Sequence, residues 1–337
     1  MPDKARVLTD KKLEALEKRI TKTYRKALKN ITAEWYDYME HGKKHLSSLR
    51  LAFLNASGKD KDKAKKAYTD ALRDYTLRNA QYDSMVDMIT TRLAEVNKTA
   101  LSYANDSLPE IYTLNYNQLS ADAKKLGIDF ALINDDVLKR RFLEDGIETP
   151  YMHLEKYLDI PKDKRWNMRQ INSAVVQGIV QGESMDEIAK RILPIVAHNK
   201  NASIRNARTM VTGAENVGRL DSYKRLESQG AVLKKKWIAT ADSRTRDAHL
   251  ALDGKEVNID DYFVDGNGDD LRYPGDPQAK PRTVYNCRCA MGTHIVGFRR
   301  ADGSISRVNY DRTHDSESLH EKQIREQQEK REKTQNV

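Results

Sequence analysis

The residues of this chain best suited to chemistry lie between positions 234 and 298. His249, Cys287 and Cys289 occur there among many Asp and Arg residues, and the two cysteines are the only ones in the chain. Imidazole nitrogen and thiolate sulfur are preferred ligands of zinc, so these three residues could hold a structural zinc ion. The fourth ligand would come from one of three sources, Asp242, His294 or water.

Two other interpretations of the same residues remain open. The spacing Cys-x-Cys is not the usual zinc spacing of two to four intervening residues, and a pair of small buried thiols is the favoured alternative. A nucleophilic pair of His249 with Cys287 or Cys289 would indicate a peptidase or transferase. That chemistry needs a thiolate beside a base at a strained or helix-N-terminal position, which a regular strand does not offer.

The elements that position these residues are predicted to be short. Residues 234–240 are typical of a strand, and Asp242 is suited to cap a helix that begins at Ser243 and stops before Gly254. On that helix Asp242, Thr245 or Arg246, and His249 would share one face. Residues 283–290 are predicted to form a second strand, whose alternation places Cys287 and Cys289 on the same side.

The charged residues around the cysteines allow two functions. Arg244, Arg246 and Arg288 could bind phosphate, but a buried ion-pair network is favoured because carboxylates lie close in sequence. The candidate carboxylates are Asp242, Asp247 and Asp270. Residues 265–276 begin like a calcium loop, but prolines interrupt the pattern and a Gly/Asp turn is favoured.

This half of the chain contains an ordered set of motif residues: Trp237, Asp242, Arg244, Thr245, Arg246, His249, Gly254, the turn Pro274 to Pro277, Pro281, Asn286, Cys287, Arg288 and Cys289. The set resembles the Mu F-like head morphogenesis, or minor head, proteins of tailed bacteriophages. Residues 166–232 resemble the helical first half of that domain. The ordered combination is more specific than any one of its parts.

The resemblance implies a structural protein and not an enzyme. Members of this family are minor head components that associate with the portal protein and act in head assembly and genome delivery. We therefore expect a virion protein of the head interior or portal vertex that is made in the host cytoplasm. Its expected partners are the portal, packaged double-stranded DNA bound without sequence specificity, and scaffold or major capsid protein, with no membrane contact in the head. The alternative is a metal-binding or Cys/His-dependent virion enzyme that acts on nucleic acid or protein.

The amino-acid composition is typical of a largely helical protein whose positive charge permits contact with DNA. The chain of 337 residues has 32% charged residues and a net charge of +9. This basic excess permits contact with nucleic acid without requiring it. The charged run 59–66 is favoured as a solvated turn, and the alternative is a tip that faces phosphate. No apolar run approaches the length of a membrane span.

The predicted fold is mainly α with a small α+β C-terminal module. Hydrophobic periodicity predicts helices over 9–41 and 62–105, joined by a connection at 42–61, as a long N-terminal hairpin. The predicted domains are the hairpin 1–105, a helical connector 106–165, the Mu F-like domain 166–298 and a charged tail 299–337. Two helices are predicted over 163–193, divided at 181–184, and another helix over 201–230. The helical part of the Mu F-like domain, 166–230, precedes the module 231–298. The tail is expected to be disordered or helical on a partner.

Overall fold

The computed structural model describes residues 3–77, 80–125, 128, 130–134, 136, 161–181, 183, 185–240 and 242–311. Most of the second half of the predicted connector and the predicted tail beyond residue 311 lie outside these residues. The predicted fold class, mainly α with a small α+β module near the C-terminus, is confirmed.

Helices make up most of the described chain, and the strands lie in its last third. The helices are α1 (Lys4–Asn55), α2 (Lys59–Leu77), α3 (Ala80–Asn117), α4 (Ser120–Lys125), α5 (Pro161–Val180), α6 (Met185–Ser228), α7 (Asp247–Leu250) and α8 (Pro281–Val284). The strands are β1 (Ala231–Ile238), β2 (Glu256–Asn258), β3 (Phe263–Val264), β4 (Asp270–Leu271), β5 (Ala290–Arg299) and β6 (Ile305–Asp311).

The predicted breaks between the long helices are wrong in three places. Helix α1 runs through Gly42 to Asn55, because one glycine costs a long helix only about 1 kcal/mol. Helix α3 continues through Pro109, and α6 runs through Pro194, so the two predicted segments at 163–193 and 201–230 are not separate there. An interior proline removes one backbone hydrogen bond, and packing along the rest of a long helix can offset that loss.

The chain divides into two compact units. One unit comprises Ile20–Ala100 and Leu154–Ala202. Its buried interior includes a polar cluster in which Asn199 exchanges hydrogen bonds with Asn167 at 2.8 and 3.2 Å and accepts one from Asn97 at 3.0 Å. Buried amides of this kind are stable only when they are paired, so the cluster fixes how its helices meet.

The other unit comprises Met1–Arg19, Leu101–His153 and Ser203–Val337, and it contains all of the motif residues. Its antiparallel sheet has the strand order β2-β1-β5-β6, and β3 pairs with β4 as a separate hairpin. Trp237 on β1 is opposite Met291 on β5, and both are buried in a core that also contains Tyr223 and Phe263. Helix α6 is buried on every side from Met210 to Leu220.

The predicted charged tail begins too early. Residues 305–311 form β6, which pairs with β5 in a register that places Ser306 opposite Phe298. The turn before β6 uses Gly303 with a φ of 81°, a conformation that suits glycine. The polar composition of this segment concealed an edge strand, because such strands present one face to water. Among the described helices, none is both long and apolar enough to cross a membrane.

Candidate functional site

His249, Cys287 and Cys289 form a buried cluster. Their side chains are 1–2% exposed, and their possible ligand atoms all lie within 4.8 Å of one another. His249 Nδ1 is 3.6 Å from Cys287 Sγ and 3.6 Å from Cys289 Sγ. One imidazole nitrogen therefore faces two sulfur atoms.

The short helix α7 and the core orient the imidazole ring. The ring of Trp237 meets that of His249 nearly edge-on, with centroids 5.4 Å apart. The second ring nitrogen of His249, Nε2, is buried and has no hydrogen-bond partner among the described residues. Packing on Trp237, and not a second hydrogen bond, thus directs Nδ1 toward the sulfurs.

The cysteines do not lie on the predicted strand. Residues 281–284 form α8, the chain from 285 to 289 is irregular, and β5 begins only at Ala290. Asn286 adopts a φ of 59°, which interrupts any strand at that position. Both thiols nevertheless point to one side, because the loop turns there, and the Cys289 N–H donates to Cys287 Sγ at 3.4 Å.

Helix α6 holds this loop through a row of polar side chains. The Asn286 N–H donates to Thr209 Oγ1 at 2.9 Å, and Thr212 Oγ1 donates to the Cys287 carbonyl oxygen at 2.8 Å. Asn216 Nδ2 donates to the Cys289 carbonyl oxygen at 3.3 Å. The loop is therefore fixed along its backbone by one face of a buried helix.

The same helix face continues to the start of β5. The Met291 carbonyl oxygen accepts from Arg219 and from the Tyr223 hydroxyl, each at 3.1 Å, and the Met291 N–H donates to Asn216 at 2.8 Å. Sequence reasoning missed this row, although its signal was present. The row has helical spacing, at Thr209, Thr212, Asn216, Arg219 and Tyr223.

Asp242 forms the favoured ion pair but does not have the predicted role of N-cap. Helix α7 begins at Asp247 after Arg246, without a side-chain cap, so Asp242 is not its N-cap and does not share its face. The carboxylate of Asp242 instead accepts hydrogen bonds from both terminal nitrogens of Arg288, at 2.5 and 2.7 Å. It also accepts one from the Arg244 backbone N–H, at 3.0 Å. Thr245 Oγ1 also donates to Asp242 Oδ1, at 3.2 Å.

The other arginines and His294 also have partners outside the cluster. Arg244 reaches Asp242 at 3.4 Å, and the Arg246 guanidinium donates to the carbonyl oxygen of Tyr285. The ion-pair interpretation therefore holds for Asp242. Nδ1 of His294 lies 3.4 Å from a carboxylate oxygen of Glu256 across the sheet.

The loop that resembled a calcium site is a Gly/Asp turn. Asp265 Oδ1 accepts the N–H groups of Asn267 and Asp269, at 2.8 and 3.0 Å. Asp276, at the twelfth position of the loop, is bound by the Arg272 guanidinium at 2.6 and 2.9 Å. Its carboxylate therefore neutralises a cation of the chain itself.

The remaining motif residues shape the backbone around the cluster. Gly254 has a φ of 74°, and its N–H donates to the Trp237 carbonyl oxygen at 2.9 Å. Pro281 is the first residue of α8, where its missing N–H costs nothing. The structure thus brings together three of the motif residues as possible ligands, while Trp237, Gly254 and Pro281 belong to the elements around them.

The two thiols differ in their electrostatic environment. The hydrogen bond from Cys287, with further help from His249, holds the pKa of Cys289 well below its usual value. The same hydrogen bond and burial raise the pKa of Cys287. The pair therefore favours one thiolate beside the imidazole. Such a group can ligate a metal, but its burial denies a substrate access to a nucleophile.

These features define a class, a mainly helical protein with a small α+β module built on one long helix that is buried between Met210 and Leu220. Residues 169–292, which include the whole cluster, match the family model for Phage Mu protein F like protein. This segment of the chain is therefore similar to the Mu F-like head morphogenesis family.

Two curated relatives share much of this sequence. The minor head protein GP7 of Bacillus phage SPP1 is 29% identical over 237 residues, which are 67% of this chain and 74% of GP7. The NAD(+)–arginine ADP-ribosyltransferase EFV of Enterococcus faecalis is 28% identical over 189 residues, 56% of this chain but only 36% of that protein. No solved structure matches the chain significantly.

Proposed function

We propose that this chain is a minor structural protein of a bacteriophage head, bound to the portal and active in head assembly and genome delivery. The observation that carries the proposal is the alignment with minor head protein GP7, which covers about two thirds of this chain and three quarters of GP7. The virion is then its site of action, and scaffold or major capsid protein are further assembly partners.

The architecture supports a role in assembly. A helix of 52 residues and another of 44 residues provide long surfaces for protein contacts. The α+β module should be rigid, because hydrogen bonds join its cysteine loop to the buried part of α6. A rigid module that carries long helices is suited to connecting two other proteins.

Contact with packaged DNA is proposed to be electrostatic. The chain has a net charge of +9, and the lysines of the run 59–66 whose exposure is described, Lys61, Lys63, Lys65 and Lys66, are exposed at the start of α2. Lysines that neutralise phosphates release counterions, so binding should weaken steeply with salt and show no sequence preference. Replacing these four lysines by Gln should reduce the salt slope by about 0.9 for each phosphate that is no longer neutralised.

An enzymatic role is the second candidate because one relative is named as an ADP-ribosyltransferase. The alignment leaves most of that longer protein unmatched, and the Cys/His cluster of this chain is buried. We therefore assign this chain a structural role. NAD turnover by the purified protein that exceeds the uncatalysed rate would favour the enzyme.

The decisive experiment is coexpression with the portal protein of the same phage, followed by affinity purification of the portal under native conditions. Stable copurification at a fixed ratio, and presence of the chain in purified heads, are the expected results. A phage that lacks this gene should make heads without the protein and with reduced infectivity. If the chain is absent from purified heads and does not bind the portal, the proposal is wrong.

A further inference from the structure

We propose that His249, Cys287 and Cys289 bind one zinc ion through Nδ1 and the two Sγ atoms, with water as the fourth ligand. The ion would join the short helix α7 to the loop that precedes β5. This site does not depend on the head function, since either could be correct without the other.

The distances in the cluster fit a tetrahedral zinc ion. Bonds of about 2.1 Å to nitrogen and 2.3 Å to sulfur, at the tetrahedral angle, place a ligand nitrogen about 3.6 Å from a ligand sulfur. His249 Nδ1 is 3.6 Å from the Sγ atoms of both Cys287 and Cys289. The three ligand atoms therefore already lie close to the positions that an ion would impose.

Hydrogen bonding explains this arrangement less well. A neutral imidazole nitrogen has either one lone pair or one N–H, so Nδ1 can form one good hydrogen bond and not two. Two sulfurs at the same distance leave one of them without a strong partner at that nitrogen. A cation bound to all three atoms would satisfy them, and two thiolates would neutralise its charge.

The cysteine loop is held in place by groups other than the ligands. The carbonyl oxygens of residues 287, 288 and 289 accept hydrogen bonds from Thr212 (2.8 Å), Thr240 (2.7 Å) and Asn216 (3.3 Å) respectively. Outer hydrogen bonds of this kind orient ligands and reduce the reorganisation that metal binding requires. The loop is thus fixed before an ion enters.

The two other candidate ligands from the sequence are committed elsewhere. The carboxylate of Asp242 is held by both terminal nitrogens of Arg288. His294 faces Glu256. Among the described residues the cluster has only three ligands, and for this reason water is assigned to the fourth position.

The test begins with the metal content of the full chain purified from zinc-supplemented cells. After gel filtration, elemental analysis should give about one zinc per chain. The variants C287S and C289S should lose that zinc, whereas D242N and H294Q should keep it. The last two are matched controls because they alter the candidates that the geometry rejects.

A second measurement applies even if the cysteine variants fail to fold. Cobalt(II) added to the metal-free wild type should give thiolate-to-cobalt charge-transfer bands and the intense visible absorption of tetrahedral coordination. Both thiols should resist N-ethylmaleimide until a chelator is added. The proposal is wrong if the wild type contains no stoichiometric zinc and its cobalt form shows no tetrahedral spectrum. It is also wrong if folded cysteine variants keep the metal.

Discussion

Replacing Arg219 by methionine should destabilise the unit that contains the cluster by about 3–5 kcal/mol. Arg219 is 1% exposed and lies on α6. Its guanidinium pairs with Asp3 at 2.7 Å and Glu215 at 3.0 Å, and it donates to Asn115 at 3.1 Å. It therefore connects the N-terminus of the chain, α3 and α6.

The magnitude follows from what the substitution leaves behind. Methionine fills much of the space, so the loss is not mainly one of packing. Two carboxylates, an amide oxygen and the Met291 carbonyl oxygen are each left without this donor inside the protein. Hydrogen bonds to charged groups contribute about 1.5–3 kcal/mol each, and the partners relax in part, which gives the stated range.

The assay is urea unfolding monitored by the fluorescence of one tryptophan. Trp237 lies in the same unit as Arg219, whereas Trp35 and Trp166 lie in the other unit, so a W35F/W166F background reports on the relevant unit alone. Lys12→Met is the control, since Lys12 pairs with Glu110 at the surface and should contribute at most about 1 kcal/mol. Equal destabilisation in the two variants, or a change below about 1 kcal/mol for Arg219→Met, would refute the reasoning.

Three further predictions concern the same unit. Burial raises the pKa of Glu215 to about 7 despite the nearby Arg219. The free energy of unfolding should therefore fall by about 3 kcal/mol as the pH rises from about 4.5 to 7. Urea titrations at several pH values should show a flatter dependence for Glu215→Gln. Gly218→Ala should cost about 1–3 kcal/mol in the same assay, because an added Cβ would lie 2.6 Å from the Tyr112 carbonyl oxygen; an unchanged midpoint would contradict this close approach. Asp242→Asn should cost about 1–3 kcal/mol by removing the charged partner of Arg288, and the effect should be absent in an Arg288→Met background.

The periodic part of the fold could be predicted from the sequence, whereas the helix ends could not. Apolar residues at helical spacing identified the long helices, and three of these residues in α6, Ala207, Met210 and Leu220, are buried. Predicted helical segments ended at residues 41 and 193, next to Gly42 and Pro194, where the protein has continuous helix. In the protein, packing along dozens of residues outweighs a local cost of about 1–3 kcal/mol.

The candidate site was predicted in its composition but not in its supporting structure. The alternation of Cys287 and Cys289 with Arg288 is what a strand would show, yet Asn286 adopts a left-handed conformation just before it. No local rule requires an asparagine to do so, although asparagine tolerates it better than most residues. The predicted role of Asp242 as a helix N-cap was likewise wrong, because α7 begins only at Asp247, whereas the favoured ion pairing of Asp242 with an arginine is present with Arg288.

The geometry of the cluster is set by the helix beneath it more than by the sheet beside it. Five side chains on one face of α6 bind the backbone between residues 286 and 291 in register, and each is a polar group that would be costly to bury without a partner. Three of the five bind the backbone of an irregular segment before β5, whose groups are free of strand pairing, and Arg219 and Tyr223 bind Met291 at the start of β5. The cysteine loop is that segment. Its irregularity, which defeated the strand prediction, is therefore what allows the helix to hold both thiols facing one imidazole.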